Sequence, residues 1–147
     1  MVTVRLVVEA DHAEWNRLYE GYAAFYGVPQ TPEMRALVWE WIWEPDHEVE
    51  CRVAVNESGS VIGLAHFREF ARPLAVAKGG FLDDLFVDPD SRGSGAADAL
   101  IDAVREVAVA RGWSVVRWIT AEDNYRARAV YDRVAVKTRW LTYDLAL

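Results

Sequence analysis

The stretch from Leu82 to Val104, LDDLFVDPDSRGSGAADALIDAV, constrains the possible fold of this chain more than any other, because it reads as a strand that turns through glycines into a helix. Leu82, Leu85, Phe86 and Val87 form a short apolar, β-prone run, and Asp88-Pro89-Asp90 is a strong turn signal. Beyond the turn Ala97, Leu100, Ile101, Val104 and Val107 recur at helical spacing. Between the two elements lies Arg92-Gly93-Ser94-Gly95-Ala96-Ala97. Glycines and small side chains let a ligand approach the backbone there, where unpaired amides and the positive dipole end of the helix meet it. Arg92 adds a fixed cation with several donors. Such a turn suits a phosphate or pyrophosphate, although glycine is equally what a ligand-free turn needs. Two named phosphate patterns are excluded: no Gly-Lys-Ser or Gly-Lys-Thr closes the loop, and the three-glycine dinucleotide fingerprint is absent.

Strands and helices alternate through the remainder. Residues 3–8 are valine-rich and read as a first strand, after which Asp11 is placed to cap a helix. Trp15, Leu18, Tyr19, Tyr22, Phe25 and Tyr26 sit at helical spacing, so one face of that helix is almost wholly aromatic. The stripe reads mainly as core, with Tyr22 and Tyr26 also able to hold an amine by cation–π contact. Gly27-Val28-Pro29 breaks the helix, and Thr31-Pro32-Glu33 opens a second, on which Trp39 and Trp43 read as an interface, a lid or partly buried structure. Residues 49–55 and 60–67 form a hairpin around Asn56-Glu57-Ser58-Gly59. Residues 68–80 read as a connection and 113–120 as a strand following a helix ended by Gly112. Asn124 starts a helix that buries Ala127, Val130, Tyr131 and Val134, and residues 140–145 read as a closing strand.

A chain of 147 residues, 52% hydrophobic, supports one domain over 1–147, of α/β or α+β class. No apolar run approaches the roughly 20 residues of a membrane span. The opening MVTVRLVVEADH lacks the basic region and long apolar stretch of an export signal, so the cytoplasm is the default compartment. Cys51 stands alone, which excludes a disulfide framework, and without a glycine elbow or neighbouring base it reads as a core thiol. His66 is a lone strand histidine with no second ligand at short spacing, hence structural or pocket-lining, and no metal is expected. A net charge of −7 argues against a nucleic-acid partner. It would attract a cationic substrate, or simply keep the protein dispersed.

Arg92-x-x-Gly95-x-Ala97 after an apolar strand resembles the acetyl-CoA pyrophosphate motif of the GNAT N-acetyltransferase superfamily. Asn124-x-x-Ala127-x-x-Val130-Tyr131 is similar to that superfamily's later helix motif, in which an Asn opens the helix and a Tyr near its end faces the thioester sulfur. The resemblance covers essentially the whole chain. It implies a mixed, mostly antiparallel central sheet flanked by helices, with acetyl-CoA entering between two splayed strands. It further implies that the amides of Phe86 and Val87 pair with pantetheine and polarise the thioester oxygen. Arg92, Gly93, Ser94, Gly95, Ala96 and Ala97 would hold the pyrophosphate, with Asn124 also on the donor side. The chain departs from the pattern after Tyr131: many relatives have Gly-Phe there and this one has Asp132-Arg133-Val134-Ala135-Val136, which implies a shortened or rearranged final hairpin.

Acetyl transfer to an amine needs a neutral nucleophile and a proton for the departing thiolate. An alkylamine with a pKa near about 10.4 is mostly protonated at neutral pH, so a base or a water relay must act first. Asp83 and Asp84 are the candidates, since two carboxylates inside an apolar strand are costly to bury unless paired or solvated. Strand alternation places them on opposite faces. The run Leu82-Asp83-Asp84-Leu85-Phe86-Val87 resembles the Leu-Glu-Asp-Phe-Phe-Val strand of diamine acetyltransferases, and Ala121-Glu122-Asp123-Asn124 resembles their Asn-containing segment. That likeness implies Asp83 as water-relayed base and Asp84 beside the acceptor. Tyr131 is the expected general acid, and no covalent acyl-enzyme is expected. The acceptor is read as a small cationic amine such as a polyamine or an amino acid. A protein lysine, or a catalytically silent CoA sensor, are the alternatives, and a homodimer through the aromatic-rich helices is the expected assembly.

Overall fold

Alternation along the strands decides which side chains meet which helix. The computed structural model describes residues 1–147, in which β1 (Thr3–Leu6), β2 (Glu50–Val55), β3 (Val61–Arg72), β4 (Ala77–Val87) and β5 (Val116–Arg117) form one sheet in chain order. The first four strands are antiparallel and β5 runs parallel to β4. On one face Val53, Val55, Val61, Leu64 and Phe86 pack with Trp15 and Leu18 of α1 (His12–Phe25). On the other, Ala54, Ile62, Ala65, Phe67 and Leu82 pack with Leu100, Ile101, Val104 and Ala108 of α3 (Ala96–Arg111). Cys51 is buried in the first of these clusters, as a core thiol should be.

Helix ends follow local chemistry. Thr31 Oγ1 accepts from the Met34 amide at 3.2 Å to cap α2 (Pro32–Trp43), and Gly112, at φ 71°, closes α3 in the left-handed conformation that glycine adopts without strain. Asp11, expected to cap α1, does something else. Its buried carboxylate accepts from the Val8 amide at 2.9 Å and pairs with Arg5, so it braces the turn before the helix. Trp39 is also turned inward, stacked on His12 at 4.6 Å and tilted against Trp15 at 4.9 Å.

Three expectations for the strands need correction. Residues 68–80 are not a connection, because β3 and β4 continue their ladder from Arg68↔Phe81 to Arg72↔Ala77 and turn through Pro73–Ala75. Gly79-Gly80 does not break a strand here; Gly80 makes room for a ring. A Cβ on Gly80 would lie 2.4 Å from the buried Trp113 indole, whose Nε1 donates to Glu69 at 2.7 Å. Gly80→Ala is therefore expected to lower stability by about 1–3 kcal/mol through overpacking, measured as a reduced urea midpoint with an unchanged slope. In the region 113–120 only Val116 and Arg117 pair with β4, and the ladder ends at Phe81↔Arg117. β4 runs on for six residues to Val87, so the two strands part and leave an opening between them. Finally, residues 140–145 form no strand, since no neighbouring strand of this chain offers them a ladder. No helix is long and apolar enough to cross a membrane.

Candidate active site

The opening between β4 and β5 is bounded by the two motifs read in the sequence. On its β4 side the ladder carries a β-bulge: His66 pairs with Asp84 and Phe67 with Leu82, leaving Asp83 as the extra residue. Strict alternation would turn Asp83 and Asp84 to opposite faces, but the bulge cancels it. Asp84 meets His66 and Asp83 meets Arg68, two residues apart on β3 and hence on one face, the face that α1 covers.

Asp84 is the better shielded of the two. Its Oδ2 accepts from Tyr19 Oη at 3.0 Å and lies 2.9 Å from His66 Nδ1. Burial pushes the carboxyl pKa up, yet the bonds from His66, Tyr19 and Tyr22 outweigh it and hold the group below the usual carboxylate range. The His66 ring is fully enclosed. Burial presses its pKa down, while Cys51 and the Asp84 carboxylate press it up. Hydrogen-bond geometry settles where the proton sits. Trp15 Nε1, which can only donate, lies 2.9 Å from His66 Nε2, and a doubly protonated ring would set two donors against each other. The arrangement thus holds a neutral imidazole with its proton on Nδ1, donated to Asp84.

Asp83 is more open. Its oxygens lie 3.2 and 3.1 Å from Arg68 Nε. Burial raises its pKa more than Arg68 lowers it, and the neighbouring Asp84 charge adds to the rise. A carboxylate so tuned is a better base than an ordinary one. Tyr22 reaches over this pair, its hydroxyl 3.5 Å from the Asp83 carbonyl and its ring edge-on to Phe86 at 5.9 Å. Burial raises the pKa of Tyr19 and Tyr22 far above the phenol range, so both act only as protonated donors.

Across the opening stands α4 (Tyr125–Val134), capped by Asn124 Oδ1 accepting from the Ala127 amide at 3.4 Å. Asn124 Nδ2 donates to Tyr26 Oη at 3.3 Å, tying the end of α1 to the start of α4. Tyr26 also packs edge-on against Tyr22 at 5.0 Å, so it lies between the Asp84 cluster and α4. Tyr131 packs edge-on against Trp118 at 5.4 Å. Burial, with Tyr26 nearby, pushes its phenol up to about 12, and its hydroxyl has no hydrogen-bond partner within the chain.

Gly93 and Gly95 hold φ of 83° and 85°, with open space where a side chain would stand, so conformation alone requires glycine at both. The turn leaves the amides of Gly93, Gly95 and Ala97 unpaired by the backbone; that of Ala96 meets Ser94 Oγ at 3.4 Å. Arg92 lies over the Phe25 ring at 6.0 Å and forms no ion pair. Along β4 the Asp88 amide donates to Ile62 on β3. Alternation therefore turns the Phe86 amide toward β3 as well and aims those of Leu85 and Val87 at the opening. Of the two amides expected to face the thioester, that of Val87 points into the opening and that of Phe86 is consumed by the ladder. Two cavities, of about 350 Å³ beside Met1 and about 620 Å³ beside Trp43, lie elsewhere; the first is lined in part by Ser94, and neither contains Asp83, Asp84, Arg92 or Tyr131.

Residues 15–135 match the Acetyltransferase (GNAT) family. The chain belongs to the GNAT acetyltransferase family. It is 30% identical over 148 residues to the D-amino-acid N-acetyltransferase HPA3 of Saccharomyces cerevisiae, covering 97% of this chain and 92% of that protein. Its fold superposes with a TM-score of 0.85 on the ribosomal-protein-alanine N-acetyltransferase of Brucella melitensis biovar Abortus 2308, at 25% identity and full coverage of both chains. An aminoglycoside acetyltransferase from an uncultured soil metagenomic sample shares the fold alone, with a TM-score of 0.78 at 20% identity over 100% of this chain and 99% of the other. The protein is accordingly a GNAT N-acetyltransferase, and that fold implies acetyl-CoA as the co-substrate. The residues present fit such a donor: unpaired amides and a free guanidinium stand at the start of α3, and an outward amide at Val87 lies along the opening.

Tyr19 and Arg68 were not singled out from sequence, and His66 was read only as structural or pocket-lining. All three converge on the Asp83–Asp84 bulge. Tyr19 is hidden in an aromatic stripe that reads as core, and Arg68 falls in the segment that looked like a connection. His66 alone carried a signal, being a polar residue in an otherwise apolar strand.

Proposed function

We propose that this protein transfers the acetyl group of acetyl-CoA directly to the amino group of a free amino acid. The observation carrying that reading is the placement of both signs of charge on one face of the bulge. Asp84 is available to an ammonium group, and Arg68, bonded to Asp83 only through Nε, keeps its terminal nitrogens for a carboxylate. A zwitterion matches this pair better than a polyamine does. The yeast relative's action on D-amino acids supports the same class. Asp83, through a water, takes the proton that the acceptor loses. As the amine nitrogen bonds to the acetyl carbon and the carbon–sulfur bond breaks, the Val87 amide polarises the carbonyl and Tyr131 protonates the thiolate. Arg92 and the amides of residues 93–97 hold the pyrophosphate, and Tyr22 walls the acceptor.

A second reading, a polyamine acceptor, is favoured by the two adjacent carboxylates and the net charge of −7. CoA-thiol release, followed across D- and L-amino acids, their decarboxylated amines, polyamines, aminoglycosides and lysine peptides, separates the two. Amino acids should exceed their decarboxylated counterparts by about 10-fold or more in kcat/KM, the worth of one charge-assisted contact. Polyamines ahead of every amino acid would overturn the proposal, and release from no acceptor despite CoA binding would return the sensor reading. In the same assay Arg92→Ala should raise KM for acetyl-CoA by about 10-fold.

A further inference from the structure

One buried side-chain oxygen has no partner in the fold. Gln30 Oε1, in the loop between α1 and α2, is closed off from solvent and no donor of the chain reaches it. A buried acceptor left so costs stability, and in a native fold it calls for a reason. The Gln30 backbone, by contrast, is held firmly. Its amide donates to the Val28 carbonyl at 2.8 Å, and its carbonyl accepts from Arg35 Nη1 at 3.3 Å. Arg35, only 4% exposed on α2, also donates from Nε to Asn16 Oδ1 at 3.0 Å and approaches Glu20 at 4.0 Å. Asn16, Tyr19 and Glu20 follow one another at helical spacing on a single face of α1. The buried guanidinium therefore delivers Gln30 to the side of Tyr19, the residue that donates to Asp84.

The polarity of that contact follows from Tyr19. It gives its one proton to Asp84, so only an N–H of the carboxamide can face the phenol oxygen. Burial and Asp84 raise the Tyr19 pKa, whereas a hydrogen bond from Gln30 lowers it, as a donor does. Nε2 is thereby spent on Tyr19, and Oε1 is left over. An ammonium group arriving beside Asp84 has the complementary surplus. It carries three N–H donors, of which one loses its proton to the water of Asp83 and one is held by Asp84, while the third has no acceptor among the residues assigned so far. We infer, on the reading that the acceptor binds at the Asp83–Asp84 bulge, that Gln30 Oε1 takes this third N–H and so sets the preference for a primary amine. The terminal torsion of a glutamine is broad, so the carboxamide tilts toward the arriving donor while Arg35 holds the backbone still. With two N–H groups held, by Asp84 and by Gln30, the lone pair freed by deprotonation has one direction left to it. A secondary amine lacks the second of those N–H groups at the moment of attack, and Gln30 Oε1 again goes without a partner.

Gln30→Met removes the oxygen at similar side-chain length and leaves Asp84 in place. Thiol release is followed for amino acids and for their N-methyl counterparts, with parent and variant side by side. The parent should favour the primary amine, and the ratio of kcat/KM between the two acceptors should shrink by about 10-fold in the variant, the worth of one hydrogen bond from a charged donor. The bulk of the added methyl group weighs on both proteins and cancels between the two ratios. KM for acetyl-CoA should stay within about two-fold. Calorimetric titration of the same amines into the CoA complex reads the same ratio where turnover is too slow to follow. An unchanged ratio would overturn the inference, and a lowered urea midpoint alongside it would confine Gln30 to bracing Tyr19. Failure of the amino-acid reading shows separately, as polyamines exceeding every amino acid in the parent. Gln30 is then judged on a polyamine against its N-methylated form, by the same shrinking ratio.

Discussion

Tyr131→Phe is expected to lower kcat by about 10²- to 10⁴-fold while leaving CoA affinity within about two-fold. The substitution removes one oxygen from a ring otherwise held by Trp118, and that oxygen bonds nothing else in the chain, so the packing survives. What is lost is the proton for the thiolate. Steady-state thiol release at saturating amine, with calorimetric titration of CoA, separates the two quantities. Unchanged turnover would remove Tyr131 from the mechanism. The pH profile adds a second check. With the phenol pushed up to about 12, Tyr131 stays protonated through the neutral and mildly alkaline range. Deprotonation of Tyr131 should therefore cause no loss of activity within the ordinary phenol range. The acid limb should rise with pH through the raised pKa of Asp83, because the base works only when ionised.

What could be read in advance divides along a physical line. Features fixed by neighbours in sequence were legible. The Asn56 hairpin is one, since the Asn56 side chain accepts from both Ser58 and Ser60 amides at 3.0 Å. Thr31, Gly112 and the left-handed glycines at 93 and 95 are others, each set by a local dihedral or cap. Features fixed by what lies across the sheet were not. Asp83 and Asp84 looked opposed because period-two reasoning assumes an unbroken pleat, and nothing in LDDLFV announces a bulge. Residues 68–80 looked like a connection because Trp113, which needs the room that Gly80 leaves and lies thirty-three residues beyond it, is invisible to local pattern. Asp11 looked like a cap until Arg5 claimed it. Residues 140–145 read as a closing strand, but a strand's pattern does not name its partner, and none of this chain's strands pairs with them.

Asp84→Asn tests the bulge from the acceptor side. The amide is nearly isosteric and still accepts from Tyr19 or His66, so the fold should persist, but the charge facing the ammonium is gone. KM for the amine should rise by about 10- to 100-fold, the worth of about 1.5–3 kcal/mol, with KM for acetyl-CoA unaffected. A merely structural Asp84 would leave KM for the amine alone. Stability itself should fall by about 1–3 kcal/mol at neutral pH, since the bonds that His66 and Tyr19 make to a charged acceptor weaken. The sign of its pH dependence follows from the depressed pKa of Asp84. Ionised Asp84 stabilises the parent fully above the unfolded carboxylate value of about 3.9, and that contribution fades as pH drops through the lower folded value. Parent and variant should accordingly converge in denaturant midpoint as the solution is acidified below about pH 4. His66→Phe provides the complement. It strands the donor-only indole of the fully buried Trp15 and deprives Asp84 of its strongest support, so it should cost more stability than Asp84→Asn does. It should also raise KM for the amine, because Asp84 loses the partner that orients it. An unchanged KM in both variants would move the acceptor away from the bulge altogether.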